Sequence, residues 1–188
     1  MTPFQPPHID ERVAALLRRA VHSPRNPDVR DVVRLRAGDA CEYCLLPTIG
    51  RFNVEHIIPP LLWEDYRAGR LSGVPARPER RGPNHIDNYG WSCSFCNEAK
   101  RKRVSHGTGR NAIRFFDPRY DRWSDHFVFP AASGSLFIIG LTEVGRVTVS
   151  AQGLHLNAGG AEGPLGSRHV AILHGDYPPA WARAVYGL

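Results

Sequence analysis

Four cysteines in two Cys-x-x-Cys pairs constrain the fold of this chain more than any other feature of its sequence. Cys41 pairs with Cys44 and Cys93 with Cys96, and the chain has no other cysteine. A Cys-x-x-Cys turn presents two sulfurs from one tight loop, and two such turns supply the tetrahedral thiolate set that structural zinc prefers. Two disulfides, or four unrelated core thiols, are the alternatives, and a reducing compartment disfavours the disulfides. The sequence therefore predicts one structural zinc ion bound by all four cysteines.

A cytoplasmic location follows from two further observations. Residues 1–8 are rich in proline and contain no apolar run of the kind that a signal peptide needs. The longest strongly apolar run, residues 136–141, is too short to cross a membrane. We therefore expect a cytoplasmic protein without membrane contact.

The positive charge lies in the first two thirds of the chain. The net charge of the 188 residues is +6. Residues 1–122 hold 21 Lys and Arg against 14 Asp and Glu, whereas residues 123–188 hold 3 against 4. The densest run is Lys100-Arg101-Lys102-Arg103. Such a run is ordinarily a solvated face, but beside a phosphodiester site it would bind a nucleic-acid backbone.

The periodicity of the sequence indicates a mixture of helices and strands. We expect an α+β fold with helices over residues 10–21, 28–38 and 97–104, a strand over residues 52–57 and a β-hairpin over residues 135–150. The hairpin is expected to turn at Glu143-Val144-Gly145. Residues 61–87 are expected to form a long connection, with one or two helical turns followed by an Arg- and Pro-rich loop.

A specific motif lies between and beside the cysteines. Glu55-His56-Ile57-Ile58-Pro59 follows the first pair, Asn88 precedes the second pair, and Asn97 and Lys100 follow it. In order and spacing this set resembles the HNH endonuclease family of the His-metal finger nucleases, over roughly residues 30–104. Residues 115–127 also resemble a segment found after bacterial HNH modules, to which we assign no chemical role.

The resemblance implies a ββα-metal core stapled by the four-cysteine zinc site. We expect N-terminal helices before this core and a C-terminal β-hairpin extension after it. The corresponding division is a proline-rich lead and helix over residues 1–29, a nuclease domain over residues 30–110 with an insertion at about 61–87, and an extension over residues 111–188.

The resemblance also implies a set of catalytic residues: His56, Asn88 and Asn97. His56 would be the general base that activates water, and a neutral imidazole suits that role. Glu55 and Asn97 offer the hard oxygen ligands that a catalytic Mg²⁺ or Mn²⁺ prefers. Asn88 would brace the loop that carries His56. Taken singly, each residue has an ordinary explanation as a surface, turn or capping residue, and only their joint occurrence favours catalysis.

Two departures from the family pattern leave alternatives open. Asn97 stands where many members have His, which leaves the metal preference open. The insertion at residues 61–87 is either a loop that contacts the substrate or a surface insertion without a role. The expected function is metal-dependent hydrolysis of DNA, with DNA as the partner. An RNA nuclease and a non-catalytic zinc-stapled DNA-binding or regulatory module are the alternatives, and the oligomeric state stays open.

Overall fold

The computed structural model describes residues 22–129, 137–159 and 163–174. Within these residues the chain forms six α-helices and three small antiparallel sheets, so the expected α+β class is confirmed. The helices are α1 (Pro27–Arg36), α2 (Trp63–Arg67), α3 (Ser94–Lys100), α4 (Trp123–His126), α5 (Glu143–Val149) and α6 (Pro164–Leu173). The strands are β1 (Phe52–His56), β2 (Tyr89–Cys93), β3 (Ser105–His106), β4 (Ile113–Arg114), β5 (Phe127–Val128) and β6 (Ile139–Gly140). The helix expected over residues 10–21 lies outside the described residues.

Helix α1 begins and ends where its sequence predicts. The Asn26 side chain caps the N-terminus by accepting a hydrogen bond from the backbone N–H of Asp28, and a proline occupies the first turn. Past the C-terminus, Gly38 takes a φ of 64°, which an L side chain disfavours. The buried face of α1 is formed by three valines, Val29, Val32 and Val33. This face holds α1 against strands β1 and β2.

Strands β1 and β2 form an antiparallel pair that positions most of the motif residues. Phe52 lies opposite Cys93 at one end, and His56 lies opposite Tyr89 at the other. Helix α3 follows β2 directly and packs against both strands. The connection over residues 57–88 contains α2 and two single 3₁₀ turns, Pro60–Leu62 and Ile86–Asn88. The expected strand and the expected helical turns of the insertion are thereby confirmed.

The prediction of a C-terminal β-hairpin over residues 135–150 is wrong. Residues 143–149 form helix α5, and strand β6 pairs instead with β5. Thr142 caps the helix by accepting a hydrogen bond from the backbone N–H of Gly145. A Cβ atom at Gly145 would collide with the carbonyl oxygen of His126, so the packing of this helix against His126 requires glycine here. Tertiary contacts therefore override the alternating Val and Thr residues that suggested a strand.

A single apolar core connects the two halves of the described chain. It includes the α1 valines and the cysteines, and it also includes Phe115, Phe116, Trp123 and Leu156. A smaller cluster around Ile58, Trp63 and Tyr66 lies under the insertion. No helix among the described residues is long and apolar enough to cross a membrane.

Candidate metal centre and catalytic site

The four cysteines come together as the sequence predicts. Their sulfur atoms all lie within 4.8 Å of one another, and all four residues are buried. In the part of the chain that the structure describes, this is the one group of three or more His, Cys, Asp or Glu side chains arranged to hold a metal. Four sulfurs at this separation fit the tetrahedral coordination of a structural metal ion such as zinc.

The cysteines of the cluster perturb one another's pKa values. Hydrogen bonds from the other cysteines, with Cys41 the largest contributor, lower the pKa of Cys44 well below its usual value. The same kind of contact raises the pKa of Cys93 and Cys96 well above it. Four thiolates this close together would repel one another, and a bound divalent metal would supply the positive charge that lets all four ionise.

His56 lies at the far end of β1, half-buried and held from two sides. Its Nε2 atom lies 3.0 Å from Oδ1 of Asn84, and its ring packs edge-on against Tyr89 with the centroids 5.0 Å apart. Because Oδ1 is an acceptor, the imidazole donates this hydrogen bond through Nε2–H, and the contact with Asn84 orients the ring.

Asn88 braces the turn that follows His56. Its Oδ1 accepts from the N–H of Ile58 at 2.9 Å, and its Nδ2 donates to the carbonyl of Ile58 at 2.8 Å and to that of Pro83 at 2.9 Å. The backbone carbonyl of Asn88 accepts from the N–H of Ile57 at 2.9 Å. The side chain is fully buried. These contacts fix the backbone one and two residues after His56, and the role of Asn88 in catalysis stays a prediction.

Glu55 is buried and both of its carboxylate oxygens are engaged. The hydroxyl of Tyr43 donates to Oε1, and Nζ of Lys100 lies 2.9 Å from Oε2. Burial and then the charge of Glu55 raise the pKa of Tyr43 well above its usual value, so the phenol stays a neutral donor. The Lys100 ammonium also donates to the carbonyl of His56 at 2.9 Å. A cation therefore already lies beside the carboxylate.

Asn97 does not join this cluster. It lines a groove of about 700 Å³ between α1, the start of β1 and α3, together with Arg30, Arg51 and Asn53. Neither Glu55 nor His56 lines that groove. The structure thus brings Glu55, His56, Asn88 and Lys100 into one hydrogen-bonded neighbourhood. Asn97 lines a groove that none of these four residues lines.

The four consecutive cations do not share one exposed surface. Lys100 is buried, and Arg103 donates hydrogen bonds to the carbonyls of Gln152, Gly153 and Ala99. Arg101 and Lys102 are the two that stay exposed. The surface available to a nucleic acid at this point is therefore about half of the one that the sequence predicts.

Three side chains outside the motif, those of Arg80, Arg119 and Trp123, hold Asn88 and the first cysteine turn in place, and the sequence analysis did not predict these contacts. The guanidinium of Arg80, in the insertion, is buried; it donates to Oδ1 of Asn88 at 2.7 Å and pairs with Asp117 at 2.5 Å. Arg119 pairs with Glu42, and the indole of Trp123 donates to the carbonyl of Tyr43 at 3.0 Å. No local pattern indicates these partners, because each contact joins segments far apart in the chain.

Residues 115–127, for which no chemical role is expected, thus brace the first Cys-x-x-Cys turn and the insertion. Comparison of the chain with protein-family models, with curated proteins and with solved structures finds no match. The motif and the geometry of the site are consequently the basis for assigning a function.

Proposed function

We propose that this protein is a zinc-stapled endonuclease of the HNH type that hydrolyses DNA phosphodiester bonds. The observation that carries the proposal is the fixation of His56. Asn84 orients its imidazole at 3.0 Å, and Asn88 holds the backbone that follows it through both ends of its amide. A general base must be held in one orientation, and the contact of Asn84 with the ring together with the contacts of Asn88 with the following backbone supports that role for His56.

In the proposed reaction His56 accepts a proton from a water molecule through Nδ1, and the resulting hydroxide attacks the phosphorus atom. The bond between phosphorus and the 3′ oxygen breaks, and that oxygen takes up a proton from solvent. By the family's usual outcome this leaves 5′-phosphate and 3′-hydroxyl ends. Such an attack places negative charge on the phosphoryl oxygens, so the reaction requires a positive group beside them in the complex with DNA. The zinc held by the four cysteines keeps its structural role in this scheme and takes no part in the chemistry.

The catalytic Mg²⁺ or Mn²⁺ that the resemblance implies does not fit the proposed ligands. Both oxygens of Glu55 are already engaged by Tyr43 and Lys100, and Glu55 does not line the groove that Asn97 lines. We therefore assign no step to a divalent ion bound by Glu55 and Asn97. Comparison of cleavage with and without divalent ions tests whether the reaction depends on one.

The second candidate function is a non-catalytic DNA-binding or regulatory module. Neutralisation of Glu55 by Lys100 favours it, because a buried ion pair takes the place of an open metal site. The exposed cations Arg101 and Lys102 serve either function, because contacts to phosphates do not depend on cleavage.

Cleavage of supercoiled plasmid separates the two candidates. The full chain is incubated with Mg²⁺, Mn²⁺ or EDTA, beside His56→Ala and beside His169→Ala, an exposed histidine on α6. We expect His56→Ala to cut slower by a factor on the order of 10² or more, with zinc content and DNA binding unchanged, and His169→Ala to match the parent.

Equal rates for His56→Ala and the parent would refute the catalytic assignment. If neither protein cuts DNA with any ion while both bind it, the module is the correct function. The same assay with single-stranded RNA as the substrate identifies an RNA nuclease.

A further inference from the structure

Glu55 and Lys100 form a buried ion pair, and Tyr43 donates a hydrogen bond to its carboxylate. The three side chains come from three different segments of the chain. Tyr43 comes from the turn between Cys41 and Cys44, Glu55 from β1, and Lys100 from the end of α3. The Glu55 and Lys100 side chains are 3 % and 2 % exposed. We call this group the Tyr43–Glu55–Lys100 triad.

The Lys100 ammonium and the Tyr43 hydroxyl both oppose binding of a divalent ion by the Glu55 carboxylate. An entering ion has to displace the Lys100 ammonium, which would then be left unpaired in the interior, and an unpaired buried charge is strongly destabilising. The Tyr43 hydroxyl occupies the other oxygen. Among the described residues, no group of three or more His, Cys, Asp or Glu side chains that could hold a metal includes Glu55.

The triad connects the cysteine site to His56. Lys100 lies one helical turn after Cys96, so both side chains are on the same face of α3. Its ammonium reaches past Glu55 to the carbonyl of His56 at 2.9 Å. Tyr43 belongs to the first cysteine turn. Both cysteine-bearing segments therefore converge on the residue beside the proposed base.

We propose that Glu55 is not a metal ligand, that the Lys100 ammonium is its permanent counterion, and that the triad is a positioning device that sets the backbone at His56 from the cysteine site. The part of this proposal that concerns the positioning of His56 rests on the proposed function. The part that pairs Glu55 with Lys100, and not with a divalent ion, is independent of the proposed function.

The test measures thermal unfolding and Mn²⁺ binding on the zinc-loaded full chain. Three variants are compared with the parent: Glu55→Gln, Lys100→Met and the double variant. Each single variant leaves one buried charge unpaired, so we expect large falls in melting temperature. The double variant removes both charges and should lose clearly less than the sum of the two single losses. Glu64→Gln and Lys102→Met, both exposed, are the matched controls and should melt with the parent.

Calorimetric titration with Mn²⁺ decides the ligand question without any assay of cleavage. We expect Glu55→Gln and the parent to bind Mn²⁺ with the same affinity. The proposal is equally supported if neither protein binds Mn²⁺. A loss of tenfold or more in Glu55→Gln, about 1.4 kcal/mol, overturns the proposal, as do strictly additive melting losses.

Tyr43→Phe keeps the test decisive if the charge variants do not fold. This change removes one hydroxyl and frees Oε1 while both charges remain. If Glu55 were a ligand, Mn²⁺ affinity would rise in Tyr43→Phe, whereas the triad predicts no change. Where the parent cleaves a nucleic acid, Tyr43→Phe should lower kcat, leave KM unchanged and gain nothing from added Mn²⁺. A rise in KM alone, or restoration by Mn²⁺, would refute the positioning role.

Discussion

Replacing Asn88 by alanine should destabilise the protein by about 3 kcal/mol, and the hydrogen bonds of its amide give that magnitude. The change removes an acceptor from the N–H of Ile58 and from the Arg80 guanidinium, and a donor from the carbonyls of Ile58 and Pro83. A buried polar group that loses its partner costs about 1–3 kcal/mol. Arg80 keeps Asp117, and the backbone relaxes in part, so the total stays well below the sum of four such penalties.

Thermal unfolding followed by tryptophan fluorescence measures the effect. For a domain of this size, about 3 kcal/mol corresponds to a fall of roughly 6–12 °C in Tm. The zinc content of the parent and the variant must be equal, so that loss of metal does not contribute. Asn111→Ala is the matched control, because Asn111 is exposed and should melt within about 1 °C of the parent.

A shift below about 2 °C in Asn88→Ala, equal to that of the control, would refute this reasoning. It would mean that water satisfies the main-chain groups of Ile58 when the amide is gone. The turn after His56 would then be held by its other hydrogen bonds, and Asn88 would have no bracing role.

Three further predictions concern the bound metal, the positively charged surface and the stability of the protein at low pH. Protein purified without added metal should carry about one equivalent of zinc by elemental analysis, and Cys96→Ser should lose it and melt far below the parent; a zinc-free chain that melts normally would contradict the site. Neutralising Arg101 and Lys102 should make the slope of log affinity for DNA against log salt shallower, by up to about 0.9 for each phosphate that the protein no longer binds, on unrelated sequences alike. Burial alone would raise the pKa of Asp121, but hydrogen bonds and charge from Arg114 outweigh it and hold that pKa below its usual value. The ion pair therefore stabilises the fold above the unfolded pKa of about 3.9 and loses this effect as the pH falls below it, so Asp121→Asn should lower Tm at pH 7 and much less near pH 3.

The local features of the fold could be predicted from the sequence because local chemistry determines them. The cap at Asn26 and the turn at Gly38 set the ends of α1. The spacing of the cysteines was enough to predict that they meet, because two tight turns with paired sulfurs have few other uses.

The contacts that fix the site could not be predicted, because they join distant segments. Lys100 belongs to a run of four cations, and such a run ordinarily indicates a solvated face. Its spacing of four residues from Cys96 was the signal that it points inward. Arg80 offered no such signal, since its partners Asn88 and Asp117 are recognisable only in three dimensions.

The cysteine clamp, formed by Cys41, Cys44, Cys93 and Cys96, has a consequence for how this chain tolerates change in length. Strands β1 and β2 are adjacent in space but separated by residues 57–88, and the strand ends at Phe52 and Cys93 lie at the clamp. Because the cysteine clamp holds that end of the strand pair together, the loop between the strands can vary in length. The entropic cost of closing the loop, as a free energy, grows only with the logarithm of its length, by about 0.6 kcal/mol for each doubling. Segments can therefore be inserted or exchanged between the strands during evolution while the register of the pair is kept. The same property makes the exposed turn at Ala68 and Gly69, where an added Cβ at Gly69 would meet no atom within 4 Å, a favourable position for grafting a peptide or a small domain, with retention of bound zinc as the measure of success.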